Sequence, residues 1–316
     1  MGYFFALLGA VLFGLNGSTT KVLVEAGLSA SQVTLARVLG TAVISGIVLL
    51  CVNRRAFKVP LRTLPLLVLL GVVGVAMLQF SYAIAVSLLP VGIALLFEYM
   101  AVLLVALVAF FVFKEQVKAR LWIAIGCVLV GLAVVAQVWT AALNPVGVLM
   151  ALLAAATLAT YFLIGERTVG ALSPLAVVFW TMTIAALFWF AFGDWWKLDG
   201  GALGVAVSLG GNLAGVVVPV WVPLLWNIVM GSFMPFLFSL LALKYLAATA
   251  VGIVASAEVI FAFLFAWLWL GEGLEPVQFI GAAFVLVGIV LAQTARAGKV
   301  VDADLVLVEG TGAAIG

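Results

Sequence analysis

Runs of about twenty apolar residues follow one another along the chain, separated by short stretches that carry Gly, Pro, Ser and charge. A helix rises about 1.5 Å per residue, so such a run covers the roughly 30 Å of hydrocarbon in a bilayer. Strict apolar/polar alternation is missing, which excludes a transmembrane β-barrel. The pattern predicts an all-α polytopic membrane protein with ten transmembrane helices: Tyr3–Val24, Ser31–Val52, Leu64–Ser87, Val91–Phe113, Leu121–Val138, Gly147–Gly165, Pro174–Gly193, Pro223–Leu243, Thr249–Leu270 and Pro276–Thr294. Gly201–Val222 is apolar enough for an eleventh span, but its Gly-Gly pair, Asn212 and Pro219 make a poor helix. It is read as part of a long outer loop over residues 194–222, re-entrant or lying at the interface.

The runs repeat. Trp122-Ile-Ala-Ile-Gly-Cys-Val-Leu-Val-Gly131 matches Phe279-Ile-Gly-Ala-Ala-Phe-Val-Leu-Val-Gly288 at an offset of 157, which also lays Lys114-Glu115 on Gly271-Glu272. Leu64-Pro65-Leu66-Leu67 falls on Val222-Pro223-Leu224-Leu225, and Gly2-x-x-x-Ala-Leu-Leu falls on Gly147-x-x-x-Ala-Leu-Leu at an offset of 145. Residues 1–143 and 144–297 therefore form two five-helix repeats, followed by a flexible cytoplasmic tail over 298–316. An odd number of helices forces the second repeat into the membrane upside down. With the N-terminus inside, 11 of the 14 Lys and Arg fall in cytoplasmic loops or the tail, so both termini are expected in the cytoplasm. Inverted repeats about a midplane site are characteristic of secondary transporters.

Composition narrows the class further. The 316 residues are 67% hydrophobic and 8% charged at a mean hydropathy of +1.41, against about 45–50% apolar and about 25% charged in soluble domains. A net charge of +2 gives no basic face for nucleic acid, so no nucleic-acid partner is expected. Histidine is absent, which removes the commonest metal ligand and general base. Cys51 and Cys127 have no partner at metal or disulfide spacing. No H-E-x-x-H, G-x-S-x-G or G-x-x-x-x-G-K-[ST] motif occurs. Neither cofactor, metal nor enzymatic activity is expected, nor is an ATP-driven pump. The N-terminus enters apolar sequence without a basic n-region or cleavage site and reads as a retained first helix.

The doubled five-helix unit, Arg37 in the second helix, the helix ends Lys114-Glu115 and Gly271-Glu272, and the Gly-rich fifth and tenth helices resemble the drug/metabolite transporter superfamily, in particular its ten-helix EamA-type members, over Gly2–Ala295. Pro90-Val-Gly-Ile-Ala-Leu-Leu-Phe-Glu-Tyr99 further resembles amino-acid exporters of the threonine/homoserine type. The chain departs from the family pattern at Val102 and Val259, where the fourth and ninth helices usually carry proline. The resemblance implies transport of a small molecule and leaves its identity open.

Three charged residues lie well inside apolar runs: Arg37, Glu98 and Glu258. A charge at mid-helix costs about 2.5–3.5 kcal/mol on insertion scales, so each is expected to face the bundle interior or a wet cavity. Arg37 sits on a stripe with Thr34, Thr41 and Ser45 at helical spacing. Arg37 and Glu98 fall at similar depths, roughly 10 Å from the outer surface, and could pair with each other or meet a substrate's carboxylate and ammonium. Glu258, near the midplane, could exchange protons with one side at a time or tie helices together. Further pathway candidates are Asn16 and Tyr161, which superpose in the repeat, Gln79 and Tyr82 on one face of the third helix, and Tyr99. Ala124/Gly131 and Gly281/Gly288 keep one face of the fifth and tenth helices smooth, for close packing within a monomer or in a homodimer. The leading expectation is a multi-pass protein of the cytoplasmic membrane, whose partners are the lipid bilayer, a small-molecule substrate such as an amino acid, and protons as coupling ion, and which exports metabolites by alternating access. A facilitator, an importer or a multidrug exporter of the same fold are the alternatives, with a membrane enzyme or receptor more remote.

Overall fold

The computed structural model describes residues 1–89, 91–112, 119–136, 144–197, 200–270 and 275–295. Lys114-Glu115, Gly271-Glu272 and the tail lie outside them. Ten apolar helices are present among the described residues: α1 (Gly2–Val24), α2 (Ala30–Val52), α3 (Leu61–Leu88), α4 (Ala94–Phe111), α5 (Ala119–Ala136), α6 (Pro145–Ala171), α7 (Pro174–Phe192), α8 (Trp221–Tyr245), α9 (Ala248–Trp269) and α10 (Pro276–Ala295). All but α5 and α10 form the set of eight long and apolar enough to cross a membrane by themselves.

Helix starts follow local chemistry. Ser29 begins α2 with a capping box: its Oγ accepts from Gln32 N at 3.2 Å and its N–H donates to Gln32 Oε1 at 3.0 Å. Ser173 caps α7 at the matching repeat position, with Pro174 in the first turn, and Asn144 caps α6 ahead of Pro145. α6 runs beyond the Gly147–Gly165 expected from hydropathy, to 27 residues, mostly at its C-terminal end.

The two repeats interlock rather than stand side by side. α5 crosses α10 at the repeated small residues: a Cβ on Gly131 would lie 2.7 Å from Gly281 O, and one on Gly288 2.8 Å from Ala124 O. The four positions are related by the offset of 157, so the crossing is a local pseudo-twofold, and the smooth faces of these helices cover each other within one chain. A second such crossing joins α2 to α8 and α7 to α3. Gly40 receives Ile228, with Cγ2 2.6 Å from where its Cβ would be, and Gly71 receives Ile184 at 2.9 Å. Positions 40 and 184 superpose in the repeat, as do 71 and 228, so knob and hole have changed places.

Three helices change pitch, α9 through a π-helical stretch at Ala266–Leu270 and two others at matching places. α3 passes through a π-helical stretch at Leu70–Met77 and α8 through one at Val229–Phe233, at matching repeat positions. The loop before α8 folds into a two-stranded hairpin, β1 (Ala206–Ser208) with β2 (Val217–Pro219), turning at Gly210 and Gly211, both with positive φ. Sequence pattern left this segment as irregular loop, because three-residue strands carry almost no periodicity. Tertiary contacts hold it. Trp269 Nε1 donates to Leu209 O at 2.9 Å and Asn212 Nδ2 to Leu268 O at 3.1 Å. Leu203, Val207 and Val220 pack with Leu23, Leu28 and Val33 at the α1–α2 turn. Asp194 accepts hydrogen bonds from Ser31 and Ser29 at the same end of the bundle.

Candidate functional site

A cavity of about 720 Å³, its open mouth included, lies between the repeats. Its walls come from α1, α2, α3, α4, α6, α8 and α9, so both repeats contribute. Eight of the ten residues singled out from sequence line it: Asn16, Arg37, Gln79, Tyr82, Glu98, Tyr99, Tyr161 and Glu258. Thr34 and Thr41 are buried on α2 but do not reach it. Arg37 is thus the one member of the α2 stripe in contact with the cavity. The remaining wall is largely apolar and aromatic, with Phe13, Phe162 and Phe236.

The two carboxylates arrive by helix breaks. α4 is interrupted at Met100, whose N–H bonds back three residues to Phe97 O at 3.2 Å, and α9 is interrupted at Ser256, where Val259 N likewise reaches Ser256 O at 3.2 Å. The breaks lie within one residue of the repeat register, although neither contains proline; Val102 and Val259 are fully buried just beyond them. Ser256 supports its break with Oγ donating to Ile253 O at 2.6 Å. Glu98 stands two residues before the first break and Glu258 two residues after the second. One carboxylate therefore comes from each half, at positions that do not superpose. Discontinuous helices release backbone polar groups at mid-membrane depth and commonly border transport sites.

Arg37 does not pair with Glu98. Its Nη2 donates to Gly231 O at 2.9 Å, in the π-helical stretch of α8. Gly231 is required for close approach: a Cβ there would run into Asn16 Oδ1. Its repeat mate Gly74 stands in the same relation to Tyr161, the mate of Asn16, with Tyr161 Cα 3.1 Å from where a Cβ would be. Tyr99 Oη donates to Glu258 Oε2 at 2.6 Å, bridging α4 and α9. Buried polar atoms without hydrogen-bond partners include Arg37 Nε, both polar atoms of the Gln79 amide and Glu98 Oε2, with others, such as Thr41 Oγ1, Ser232 Oγ and the indole nitrogens of Trp180 and Trp189, away from the cavity. The first four atoms belong to cavity-lining side chains. Buried polar groups are satisfied in most proteins, so a cluster of orphans around one hollow marks where water or a polar ligand belongs.

Sequence reasoning missed Asn227 and Ser239. Asn227, 0% exposed, donates from Nδ2 to Asn16 Oδ1 at 2.8 Å, Thr19 Oγ1 at 3.1 Å and Thr20 Oγ1 at 3.2 Å, tying α8 to α1 beside the cavity. It is the lone amide in the apolar run Trp221–Met230, a signal that could have found it. Ser239 lines the cavity, and its short side chain within α8 gave no such signal. Among the described residues no cluster of His, Cys, Asp or Glu could hold a metal ion.

No curated protein matches this sequence. One crystal structure of a protein superposes with a TM-score of 0.73, covering 92% of this chain and 96% of its own at 16% identity, and so shares its fold. The EamA-like transporter family matches residues 1–137 and 145–294, one match for each repeat. By that match over nearly the whole chain, together with its apolar helices, the protein belongs to the EamA-like transporter family and is a multi-pass membrane transporter.

Proposed function

We propose that the protein is a secondary active transporter that exports a small polar or amphipathic metabolite, an amino acid being the first candidate, across the cytoplasmic membrane by alternating access. The ten helices span the bilayer as two inverted five-helix halves with both termini in the cytoplasm, the orientation favoured by the basic residues of the loops. The cavity between the halves is the substrate site, and the observation that carries this reading is its unpartnered polar lining. Arg37 Nε and Glu98 Oε2 offer a donor and an acceptor of opposite charge, Gln79 and Tyr161 add neutral groups, and the aromatic wall takes the apolar part of the molecule.

Glu258, bonded to Tyr99 across the two halves, is the proposed coupling group. A proton on its carboxylate removes the acceptor charge that holds the Tyr99 bridge, so proton exchange and the separation of α4 from α9 would be linked. Proteoliposomes loaded with single amino acids, nucleobases or cationic compounds, and given a pH gradient, test this. Export against a concentration gradient is expected for at least one compound, with Glu258→Gln reducing gradient-driven export more than exchange at equal pH. A protein that only equilibrates its substrate is a facilitator, and gradient-driven export that survives both Glu98→Gln and Glu258→Gln would remove the carboxylates from coupling.

A further inference from the structure

Where α2 gives way to α3, the chain carries charge of one sign. Arg54, Arg55, Lys58 and Arg62 follow closely on one another, and no Asp or Glu occurs between Glu25 and Glu98. All four basic residues are exposed, yet the backbone that carries them is ordered. Asn53 Oδ1 accepts from Arg55 N at 3.1 Å, Lys58 N donates to Arg55 O at 3.1 Å, and Thr63 N donates to Pro60 O at 2.8 Å. The Phe57 ring stands edge-on to Phe179 of α7, centroids 5.0 Å apart, and Val59 packs against the core. Among the described residues, the one hydrogen bond made by the four cationic side chains runs from Arg54 Nε to Leu50 O, at 3.2 Å.

That bond satisfies a carbonyl in the last turn of α2 and fixes the guanidinium over Leu50. Leu50 ends a stripe of exposed apolar residues, Leu39, Val43, Ile47 and Leu50, at helical spacing on α2. On the far side of the loop Leu61, 85% exposed, leads a second stripe through Leu64 and Val68 on α3, with Arg62 next to it. Exposed apolar side chains of a membrane-spanning bundle face acyl chains, so a guanidinium stands at the head of each stripe, where lipid phosphate lies. Orienting a loop needs only the number of its basic residues. It does not need one of them tied down above a lipid-facing stripe. We infer that residues 53–63 form a binding site for an anionic phospholipid: the Nη groups of Arg54 meet the headgroup phosphate, Arg55, Lys58 and Arg62 add attraction, and the acyl chains lie along the two stripes. A free anion would leave those stripes without a role. In the orientation proposed above the lipid belongs to the cytoplasmic leaflet, but the site does not depend on what the protein transports.

Native mass spectrometry of the full-length protein in detergent, titrated with phosphatidylglycerol or with phosphatidylcholine of the same acyl chains, tests the site. Phosphatidylglycerol should be held about tenfold more tightly or better. Arg54→Gln should weaken its binding about fivefold, and Arg54→Gln combined with Arg55→Gln, Lys58→Gln and Arg62→Gln should remove the preference. Lys197→Gln, beyond the far end of α7, should leave binding unchanged. Equal retention of the two lipids would overturn the proposal, as would a preference that survives the quadruple replacement. A loss with Lys197→Gln as large as with Arg54→Gln would show diffuse attraction to the whole protein and no site. Inorganic phosphate, added at the concentration of phosphatidylglycerol that saturates, should displace none of the lipid; if it does, the loop holds a free anion and the lipid assignment fails.

Discussion

Single side chains in this protein are placed by what a hydrocarbon interior will not tolerate. The cost of burying charge picked Arg37, Glu98 and Glu258 out of the sequence, and all three line one cavity. The partner of Arg37 was not legible in the same way. A carbonyl acceptor exists at every residue, and only the π-helical stretch of α8 makes that of Gly231 available at 2.9 Å. Asn227 escaped because an amide carries no charge and its burial is excused by neighbours, Asn16, Thr19 and Thr20, that lie more than 200 positions away in the chain. Two glycines separate close packing from open space. Gly231→Ala should push α1 off α8 through the Asn16 contact and destabilise by ~1–3 kcal/mol. Gly17→Ala meets nothing and should stabilise by about 0.5–1 kcal/mol through helix propensity. Thermal unfolding in detergent would order the two variants on either side of the wild type.

At the scale of elements, hydropathy located the helices because lipid imposes one length on all of them. It was silent on the interruptions. Proline is the breaker a reader looks for, yet Met100 and Ser256 turn without it, and the π-helical stretches carry ordinary apolar residues. The α5–α10 crossing is a demanding contact, since backbone oxygens take the space of two side chains. Gly131→Leu should therefore cost ~3 kcal/mol or more and separate the two helices, to be read as lost thermal stability and as new labelling at Cys127 on α5. The end of α7 gives a pH test. Hydrogen bonds from Ser31, with Ser29 adding to them, hold the Asp194 carboxyl below the usual carboxylate range. The folded state then binds that proton less readily than the unfolded chain, so the contribution is present above about pH 4 and fades as pH falls below it. Asp194→Asn should narrow the gap between the unfolding temperatures measured above and below that value.

The molecule as a whole is two versions of one design that have drifted apart where function needs asymmetry. The fold survives the drift because matched crossings persist at α5–α10 and at the glycine pockets of α2 and α3. The cavity uses the drift: Glu98 and Glu258 occupy positions that do not superpose, and Arg37 has no charged mate at Thr181. The exchanged contacts at Gly40–Ile228 and Gly71–Ile184 have a consequence for assembly. Were the first half to meet a copy of itself in the inverted arrangement, glycine would face glycine at both crossings and leave two voids. Two copies of the second half would drive Ile184 against Ile228 twice. Each half thus fits the other better than a copy of itself, a selection made by glycine facing isoleucine at both crossings. Expressed as separate polypeptides carrying residues 1–143 and 144–316, the halves should co-purify as a mixed pair, and neither should recover a homogeneous dimer alone.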